Sequence, residues 1–429
     1  HEAELIIEEA KKHGMEIINV SHSTNRYKQD SSYITFSAPE IRSLTIRVSD
    51  HGTSQFEFSD FHCMEFDEEY FSEIFGNLKK KSELLDCLVK EIDLRKSELN
   101  NDIVETIYFG GGTPSILSTE EINRLIEAVY SNFDVVAHPE ITLEANPDDL
   151  SEEKIKELAA SKINRLSIGV QSFFERDLKL MNRAHNAEES KKCLQIATEY
   201  FSNISVDLIY GIPDCSNEQW TTNILTALSF GVPHISSYAL TVEPNTALER
   251  FIDKGVIKNV DDDKAEEQFL ILTDVLNEAK FIHYELSNFG KEEFFSKNNS
   301  AYWLGKSYLG IGPAAHSFDG VQRSWNVQNN TKYIKNILEN ELPIQREVLS
   351  VIDRYNEYVM TGLRTIWGVS LQRIKSEFGK NYAKYLQMQA QKYIDQELLC
   401  MENEVLKTTR KGKFLSDGLA SDLFMLNLK

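Results

Sequence analysis

The stretch ETIYFGGGTP, at residues 105–114, joins an apolar strand to three consecutive glycines. Further apolar runs recur along the chain between amphipathic helices, and they read ITLEAN, RLSIGVQ, ISVDLIYG, ISSYALT and HYELSNF. Strands that alternate with helices are typical of parallel βα units. The repetition predicts an α/β protein with a whole or partial (β/α) barrel, in which groups at the carboxyl ends of the strands carry the chemistry.

Two helix starts in this region are predicted from their capping residues. Ser118 with Glu121, and Asp149 with Glu152, have the spacing of capping boxes, in which both side chains bond to backbone amides. After the first box, apolar residues recur at helical spacing from Ile122 onward, so one face of that helix is expected to pack on the sheet.

From about Asp353 the strands give way to helices. The helical segments are DRYNEYVMTGLRTI and SLQRIKSEFG, separated by Trp367 and Gly368, and then YAKYLQMQAQKYIDQ. The hairpin-like stretch LLCMENEVLKTTRKGKFL follows them. Helices followed by a two-stranded wing predict a winged-helix domain. Its lysines and arginines are interpreted as a solvated hairpin rather than a DNA contact, because the chain is acidic.

The first 76 residues follow neither pattern. Residues 2–13 predict a short helix ended by Gly14, and EIINV and LTIRV predict two strands. His51, His62 and Cys63 lack the spacing of metal ligands or of a nucleophile with its base. Residues 1–76 are therefore predicted to be a small α+β appendage with a structural role.

The composition excludes several classes of protein. The formal net charge is −21, and phosphate backbones bind through Lys and Arg, so nucleic acid is not expected as a partner. Hydrophobic residues make up 41% of the chain, and no apolar run approaches the roughly 20 residues that span a bilayer. The five cysteines are scattered and are never within four residues of each other. This pattern predicts reduced thiols and a cytoplasmic location.

Polar side chains stand at or near the ends of successive candidate strands. They are Glu144 in LEANP, Gln171 in SIGVQSF and Asp207 in DLIYGIP, with Ala239 at the corresponding place in SSYAL. A carboxylate suits an ammonium group or ribose hydroxyls, while Arg183 in MNRAHN suits a carboxylate. Because the glycines let a ligand approach the backbone closely, this set predicts a pocket for a polar, zwitterionic ligand.

The motifs GGGTPSILS, LEANPDDL, SIGVQSF, NRAHNAEE, DLIYGIP and IGPAAHSF occur in the order found in one known family. On these motifs the chain, from Leu78 to its end, resembles the HemW-type haem chaperones of the radical S-adenosylmethionine (SAM) superfamily, relatives of the oxygen-independent coproporphyrinogen III oxidases. The resemblance implies a radical-SAM-like partial barrel over residues 77–330 and a helical or winged-helix domain over residues 331–429. It also implies a SAM pocket that consists of Gly111, Gly112, Thr113, Glu144, Gln171, Arg183, Asp207 and Ala239.

The same resemblance implies a 4Fe-4S cluster held by a CxxxCxxC motif before residue 78, but the stretch in that place reads QFEFSDFHCMEFDEEYFSEIFGN. It offers one thiol, Cys63, where cluster ligation needs several. Residues 1–76 are therefore expected to replace the family's N-terminus, including its first barrel strand, and catalysis by this chain is not expected. A start at His1 rather than Met is compatible with a fragment or a processed chain.

The segment SKNNSAYW resembles an HNxxYW pattern that is associated with haem in HemW-type proteins. Asn298 occupies the histidine position, while Tyr302 and Trp303 match the pattern. An amide is a poor substitute for an imidazole as an iron ligand, so stacking by the two aromatic rings is the expected contribution. His316 and His283 are alternative iron ligands, and a structural role for each is also open.

The leading hypothesis is a haem chaperone that binds haem and SAM without radical chemistry and passes haem to another protein, with a transient membrane-protein partner among the candidates. The first alternative is a radical SAM enzyme like coproporphyrinogen III oxidase, in porphyrin biosynthesis, which requires the cluster. The second alternative is an inactive fusion or truncated scaffold. Iron and sulfide content separates the enzyme from the other two.

Overall fold

The computed structural model describes residues 16–24, 30–38, 41–49, 54–58, 68–99, 102–242 and 247–426. The chain divides into two units, His1–Asp86 and Cys87–Lys429. The helix α1, Glu68–Leu94, begins in the first unit and ends in the second. Within the described residues, no helix is both long enough and apolar enough to cross a bilayer.

The first unit contains an antiparallel sheet of four strands in the order β1-β2-β3-β4. The strands are β1 Glu16–Thr24, β2 Asp30–Ala38, β3 Ile41–Ser49 and β4 Ser54–Phe58. The predicted strands EIINV and LTIRV lie in β1 and β3. The helix predicted over residues 2–13 lies outside the described residues.

The second unit is built on a sheet of seven strands in the order β10-β11-β9-β8-β7-β6-β5. Five of them are parallel neighbours: β5 Val104–Phe109, β6 Val135–Ala145, β7 Arg165–Gln171, β8 Ile204–Tyr210 and β9 His234–Ala239. The sheet is a curled half-barrel, so the prediction of a partial (β/α) barrel is confirmed.

The prediction of a single strand at HYELSNF is wrong. This stretch forms an antiparallel hairpin of β10 Ile282–Glu285 and β11 Asn288–Gly290. At the turn, His283 Nε2 lies 3.0 Å from the carbonyl oxygen of Leu286. Local bonds of this kind stabilise a reversal that an apolar pattern alone does not reveal. Because β11 pairs antiparallel to β9, the run of parallel strands ends there.

Helices follow the parallel strands as the pattern predicts. They are α2 Thr119–Asn132, α3 Glu152–Ala159, α4 Glu175–Leu180, α5 Ala187–Tyr200, α6 Asn217–Ser229, α7 Ala247–Asp253, α8 Asp262–Glu278 and α9 Lys297–Trp303. The predicted capping box of Ser118 and Glu121 is confirmed, since both reciprocal hydrogen bonds are present at the start of α2.

The second predicted capping box, of Asp149 with Glu152, is wrong. Ser151 caps α3 instead, and its hydroxyl accepts a backbone amide hydrogen from the first turn. Asp149 lies in the short turn Pro147–Asp149, where its carboxylate accepts the Ser115 hydroxyl at 2.6 Å. Proline fixes the backbone at the start of that turn, so the helix begins two residues later than the spacing suggests.

Side chains of the parallel strands alternate between an apolar face and a polar face, as strand geometry requires. Leu143, Leu166 and Val206 lie fully buried in the core that the sheet shares with the helices. The opposite face, called the inner face below, carries the side chains of Thr106, Tyr108, Thr142, Glu144, Arg165, Ser167, Ser205, Asp207, His234 and Ser236. A polar inner face is a surface for a polar ligand.

The remaining residues form two small sheets, helices and a second core. One sheet is β12 His316–Phe318, β13 Gln322–Asn326 and β14 Ile344–Val348. The other sheet, in the order β15-β17-β16, is β15 Val369–Ser370, β16 Leu399–Glu402 and β17 Val405–Thr408. The helices are α10 Asn330–Leu338, α11 Val351–Leu363, α12 Leu371–Glu377, α13 Lys380–Asp395 and α14 Ser416–Asp422. The domain boundaries at residues 76 and 330 stay predictions.

The predicted wing is the hairpin of β16 and β17, which gains a third strand from β15. Two of its cations are paired within the chain: Lys407 with Glu402 at 3.2 Å, and Arg410 with Asp274. These pairs support the interpretation of the basic residues as part of a solvated hairpin.

Candidate ligand-binding site

The three positions after β5 need glycine for different physical reasons. A Cβ atom on Gly110 would lie 2.5 Å from the Tyr108 ring and 2.9 Å from the Glu144 carboxylate, so this position has no room for a side chain. Gly111 and Gly112 have φ of 77° and 66°, in the left-handed region that favours glycine. Among the described residues nothing lies within 4 Å of a Cβ placed on either. The turn therefore exposes its backbone at the carboxyl edge of the sheet, and the region around the predicted pocket residues at this edge is called the cleft below.

Glu144 holds this glycine turn. The Tyr108 hydroxyl donates to its Oε1 at 2.6 Å, and the Gly111 backbone amide donates to its Oε2 at 3.2 Å. Burial, and then the nearby Glu144 charge, raise the pKa of Tyr108, so the phenol keeps its proton. Each carboxylate oxygen has a second lone pair, which can accept a hydrogen bond from a ligand.

Asp207 lies on the inner face beside two serines. The Ser167 hydroxyl is 3.3 Å from its Oδ1, and the Ser205 hydroxyl is 3.4 Å from the same atom. Burial is the largest cause that raises the pKa of Asp207 to about 7, and the Glu144 charge adds to it. This carboxyl group therefore changes its charge near neutral pH, and a cationic ligand group would favour the ionised form.

Gln171, the last residue of β7, is buried and has φ of 67°. A left-handed conformation is uncommon for a residue with a side chain, and such residues cluster at functional sites. The side chain folds back along its own strand, since its Nε2 would lie 2.8 Å from a Cβ on Gly169. The carboxamide is therefore held at the carboxyl edge of the sheet.

Arg183 follows α4 in a loop at the same edge of the sheet. Its Nε is buried and has no hydrogen-bond partner among the described residues. Burial lowers the pKa of Arg183, although the charges of Asp207 and Asp148 oppose this effect. A partly buried guanidinium with an unpaired donor suits an anionic ligand group such as a carboxylate.

The structure brings most of the predicted pocket residues to one edge of the sheet. Glu144, Asp207 and Arg183 interact electrostatically there. Thr113 precedes the short turn Pro114–Ile116, and Ala239 is exposed at the end of β9. Sequence reasoning missed Tyr108, Ser167, Ser205 and Ser236, although the alternation of polar and apolar residues in each strand was a usable signal.

The helix α9, which carries the SKNNSAYW motif, lies towards the amino ends of the strands. The Thr106 hydroxyl donates to Asn298 Oδ1 at 3.1 Å, and the Asn298 backbone amide donates to Glu140 at 3.1 Å. Thr106 and Glu140 precede Tyr108 and Glu144 in β5 and β6. The motif and the glycine turn therefore lie towards opposite ends of these strands.

Aromatic side chains connect α9 to the first of the two small sheets. Tyr302, which is 44% exposed, packs edge-on against Tyr308 with ring centroids 4.5 Å apart, and Tyr308 lies 6.3 Å from Phe318. Further along, the exposed His316 stacks on Trp325 with ring centroids 6.0 Å apart. We call these five residues the aromatic surface. Trp325 was not predicted, because only strand pairing brings it opposite His316.

Trp303 and His283, the other residues considered for haem binding, have contacts of their own. The Trp303 ring is 5.2 Å from the Arg364 guanidinium. The His283 ring stacks on Phe289 with centroids 4.0 Å apart, and burial lowers the pKa of His283 to about 3. A half-buried, neutral imidazole that bonds to its own hairpin is typical of a structural histidine.

Comparison with known proteins agrees with this architecture. The chain matches the Radical SAM superfamily model over residues 76–223 and the HemN C-terminal domain model over residues 349–415. The solved structure of coproporphyrinogen III oxidase (HemN) from Escherichia coli superposes with a TM-score of 0.70 at 22% identity, covering 81% of this chain and 83% of that one. At this identity the match concerns the fold. The fold is that of a radical SAM protein.

Curated relatives define the family more closely. Heme chaperone HemW of Lactococcus lactis is 32% identical over 346 residues, which cover 80% of this chain and 91% of the relative. Heme chaperone HemW of Bacillus subtilis is 32% identical over 355 residues, which cover 81% of this chain and 92% of the relative. The bovine mitochondrial radical S-adenosyl methionine domain-containing protein 1 is also 32% identical, over 353 residues. This chain belongs to the HemW heme chaperone family.

Proposed function

We propose that this chain is a haem chaperone that binds haem on its aromatic surface and passes it to another protein. The observation that carries the proposal is the 32% identity to a protein named heme chaperone over 91% of that relative's length. An open surface suits this function, because a chaperone must release its ligand to an acceptor. Three further points stay predictions. They are the delivery of haem to an acceptor protein, a membrane-protein partner and a cytoplasmic location.

The aromatic surface has the side chains that haem recognition needs. A porphyrin is planar and apolar, and aromatic rings stack on such a ligand. The imidazole of His316 is exposed in β12 and is supported by the Trp325 ring, so it can reach an iron atom from the protein surface. Arg323 lies opposite Phe318 in the neighbouring strand, and its guanidinium is paired with Glu357 at 2.8 Å. Tyr302 completes the surface on α9.

Replacing His316 with alanine is expected to abolish any low-spin haem spectrum, because that spin state requires strong-field axial ligands and His316 would supply one of them. Alanine at Trp325 or Tyr302 is expected to weaken haem binding by about tenfold, or about 1.4 kcal/mol, through loss of stacking. Absorbance titration with haem measures both effects. Alanine at His138, an exposed histidine of β6, is the matched control. Unchanged titrations in all three variants would contradict the proposed surface.

We also propose that the cleft at the glycine turn binds SAM, through the predicted set Gly111, Gly112, Thr113, Glu144, Gln171, Arg183, Asp207 and Ala239. Asp207 and Glu144 would accept hydrogen bonds from the ammonium group or the ribose hydroxyls, and Arg183 would bind the carboxylate. The exposed backbone of the glycine turn allows close approach of the ligand. When bound, SAM would bring its cationic sulfonium group into this cleft.

The cysteines do not fit a 4Fe-4S cluster. The sequence contains no CxxxCxxC motif. Burial raises the pKa of Cys193 to about 12 and that of Cys215 to about 11, which disfavours the thiolates that iron requires. Among the described residues no group of three or more His, Cys, Asp or Glu side chains could hold a metal ion. We therefore propose that radical chemistry of the coproporphyrinogen oxidase type is not carried out by this chain alone.

Anaerobic reconstitution is expected to leave iron and acid-labile sulfide far below one cluster per chain. The control is the same protein after alkylation of its cysteines, which reports iron sulfide that adheres without ligation. Near-stoichiometric cluster with a spectrum that responds to SAM would contradict this proposal and would favour the enzyme hypothesis.

A further inference from the structure

A chain of hydrogen bonds runs across the inner face from the cleft to the start of α9. Ser205 Oγ lies 3.4 Å from Asp207 Oδ1 and 2.8 Å from His234 Nδ1. His234 Nε2 lies 2.8 Å from the Tyr284 hydroxyl. That hydroxyl accepts a hydrogen bond from the Ser296 backbone amide at 3.2 Å. Four hydrogen bonds therefore connect Asp207 with the residue that caps α9.

The donors and acceptors allow a consistent direction along this series of hydrogen bonds. In one arrangement of the hydrogens, the Tyr284 hydroxyl accepts from Ser296 and donates its own hydrogen to His234 Nε2. Burial lowers the pKa of His234 well below its usual value, which favours a neutral ring, and in this arrangement the hydrogen of that ring lies on Nδ1, towards Ser205. The Ser205 hydroxyl then donates to Asp207. In this arrangement every hydrogen points towards the carboxylate, and Ser205 Oγ also lies 2.9 Å from Ser236 Oγ.

Burial makes this series of hydrogen bonds sensitive to the loss of any one partner. Ser205, His234 and Tyr284 are each no more than 1% exposed, so water cannot replace a lost partner. Ser296 also caps α9 with its side chain, which accepts from the Asn299 backbone amide at 3.2 Å. Ser296 therefore joins this series of hydrogen bonds to the start of the helix that carries Tyr302.

We propose that His234 and Tyr284 are positioning residues that couple the state of Asp207 in the cleft to the order of α9 and its part of the aromatic surface. The next step rests on the proposed function, in which SAM and haem are the two ligands. SAM that binds to Asp207 then changes the affinity of the protein for haem. By linkage, haem changes the affinity for SAM by the same factor. The coupling itself requires neither ligand.

Hydrogen exchange on the ligand-free protein tests the coupling. Asp207→Asn is expected to speed exchange in the peptide over residues 296–303 by at least about twofold, the lower end of interaction energies in buried networks. Asp214→Asn, an exposed carboxylate that pairs with Lys258, is the matched control and is expected to leave that peptide unchanged. Equal exchange in wild type and Asp207→Asn would overturn the inference.

A second variant separates coupling from general loosening of the fold. In a Tyr284→Phe background, Asp207→Asn is expected to cause no further change in the α9 peptide, because the connection is already cut. Tyr355→Phe, which removes a buried hydroxyl bonded to the Leu423 carbonyl, is the control background and should leave the response intact. An additive response in Tyr284→Phe overturns the inference. Failure of haem or SAM to bind contradicts the proposed function instead, and leaves the exchange result standing.

Discussion

Replacing Glu91 with alanine is expected to lower the free energy of unfolding of the second unit by about 3–5 kcal/mol, because it removes a buried acceptor that several donors share. Glu91 is fully buried in α1 and pairs with Arg95 at 3.0 Å. It also accepts hydrogen bonds from the Gly312 backbone amide and the Asn326 side chain, each at 2.8 Å, and from the Tyr333 hydroxyl. Alanine would remove the acceptor that these four donors share, although Arg95 and Asn326 keep other partners.

Arg95 extends the same network on the other side. It is 1% exposed and donates to the Gly310 carbonyl at 2.8 Å and to the Ser317 hydroxyl at 3.0 Å. The network therefore ties α1 to both ends of the loop that leads to His316. Loss of Glu91 would leave Arg95 paired with Glu98 at 2.7 Å. The expected cost therefore comes mainly from the buried Gly312 amide and the Tyr333 hydroxyl, which lose their acceptor, at about 1–3 kcal/mol each.

Urea denaturation followed by tryptophan fluorescence measures this change. All four tryptophans, Trp220, Trp303, Trp325 and Trp367, belong to the second unit, so the signal reports that unit. Glu188→Ala, which removes an exposed ion pair with Lys191, is the control and should cost no more than about 0.5 kcal/mol. A midpoint shift for Glu91→Ala as small as that of the control would refute the assigned role.

The second large effect is expected at the glycine turn. Gly111→Leu should weaken SAM binding by at least about 100-fold, or about 2.7 kcal/mol, because the leucine side chain would fill space that the ligand occupies. The fold itself has room for that side chain, since the space around a Cβ at this position is open among the described residues. The left-handed backbone adds a cost in stability of about 1–3 kcal/mol.

Calorimetric titration with SAM measures the loss, and a matched glycine separates it from backbone strain. Gly231, which follows α6, has φ of 74° and the same open surroundings. Gly231→Leu should therefore lose similar stability and keep its SAM affinity. If Gly111→Leu bound SAM as well as the wild type, the ligand would have to lie elsewhere.

The sequence was most informative where local patterns and tertiary structure agree. The five parallel strands and the capping box of Ser118 follow from periodicity and short-range hydrogen bonds, which a sequence displays directly. The hairpin at HYELSNF and the cap at Ser151 were mistaken, because a few local hydrogen bonds decide a turn or a helix start within one or two residues.

The pocket was predicted only in part. Glu144, Gln171 and Asp207 stand out as polar residues near strand ends, whereas the serines around Asp207 look like ordinary strand residues. Their role depends on register: Ser205 pairs with Ser167 on one side, and Asp207 pairs with Ser236 on the other. A period of two predicts the face of a side chain but not its neighbours in adjacent strands.

By itself, the sequence determined the class of fold, the glycine turn and the departure from the family's cysteine motif, because each of these features depends on residues that are consecutive in the chain. The tertiary structure alone decided that the cleft and the SKNNSAYW helix lie towards opposite ends of the strands, that Trp325 supports His316, and that Tyr284 connects Asp207 with α9. These relations join residues far apart in the chain. They arise from strand pairing and burial, which have no local signature in the sequence.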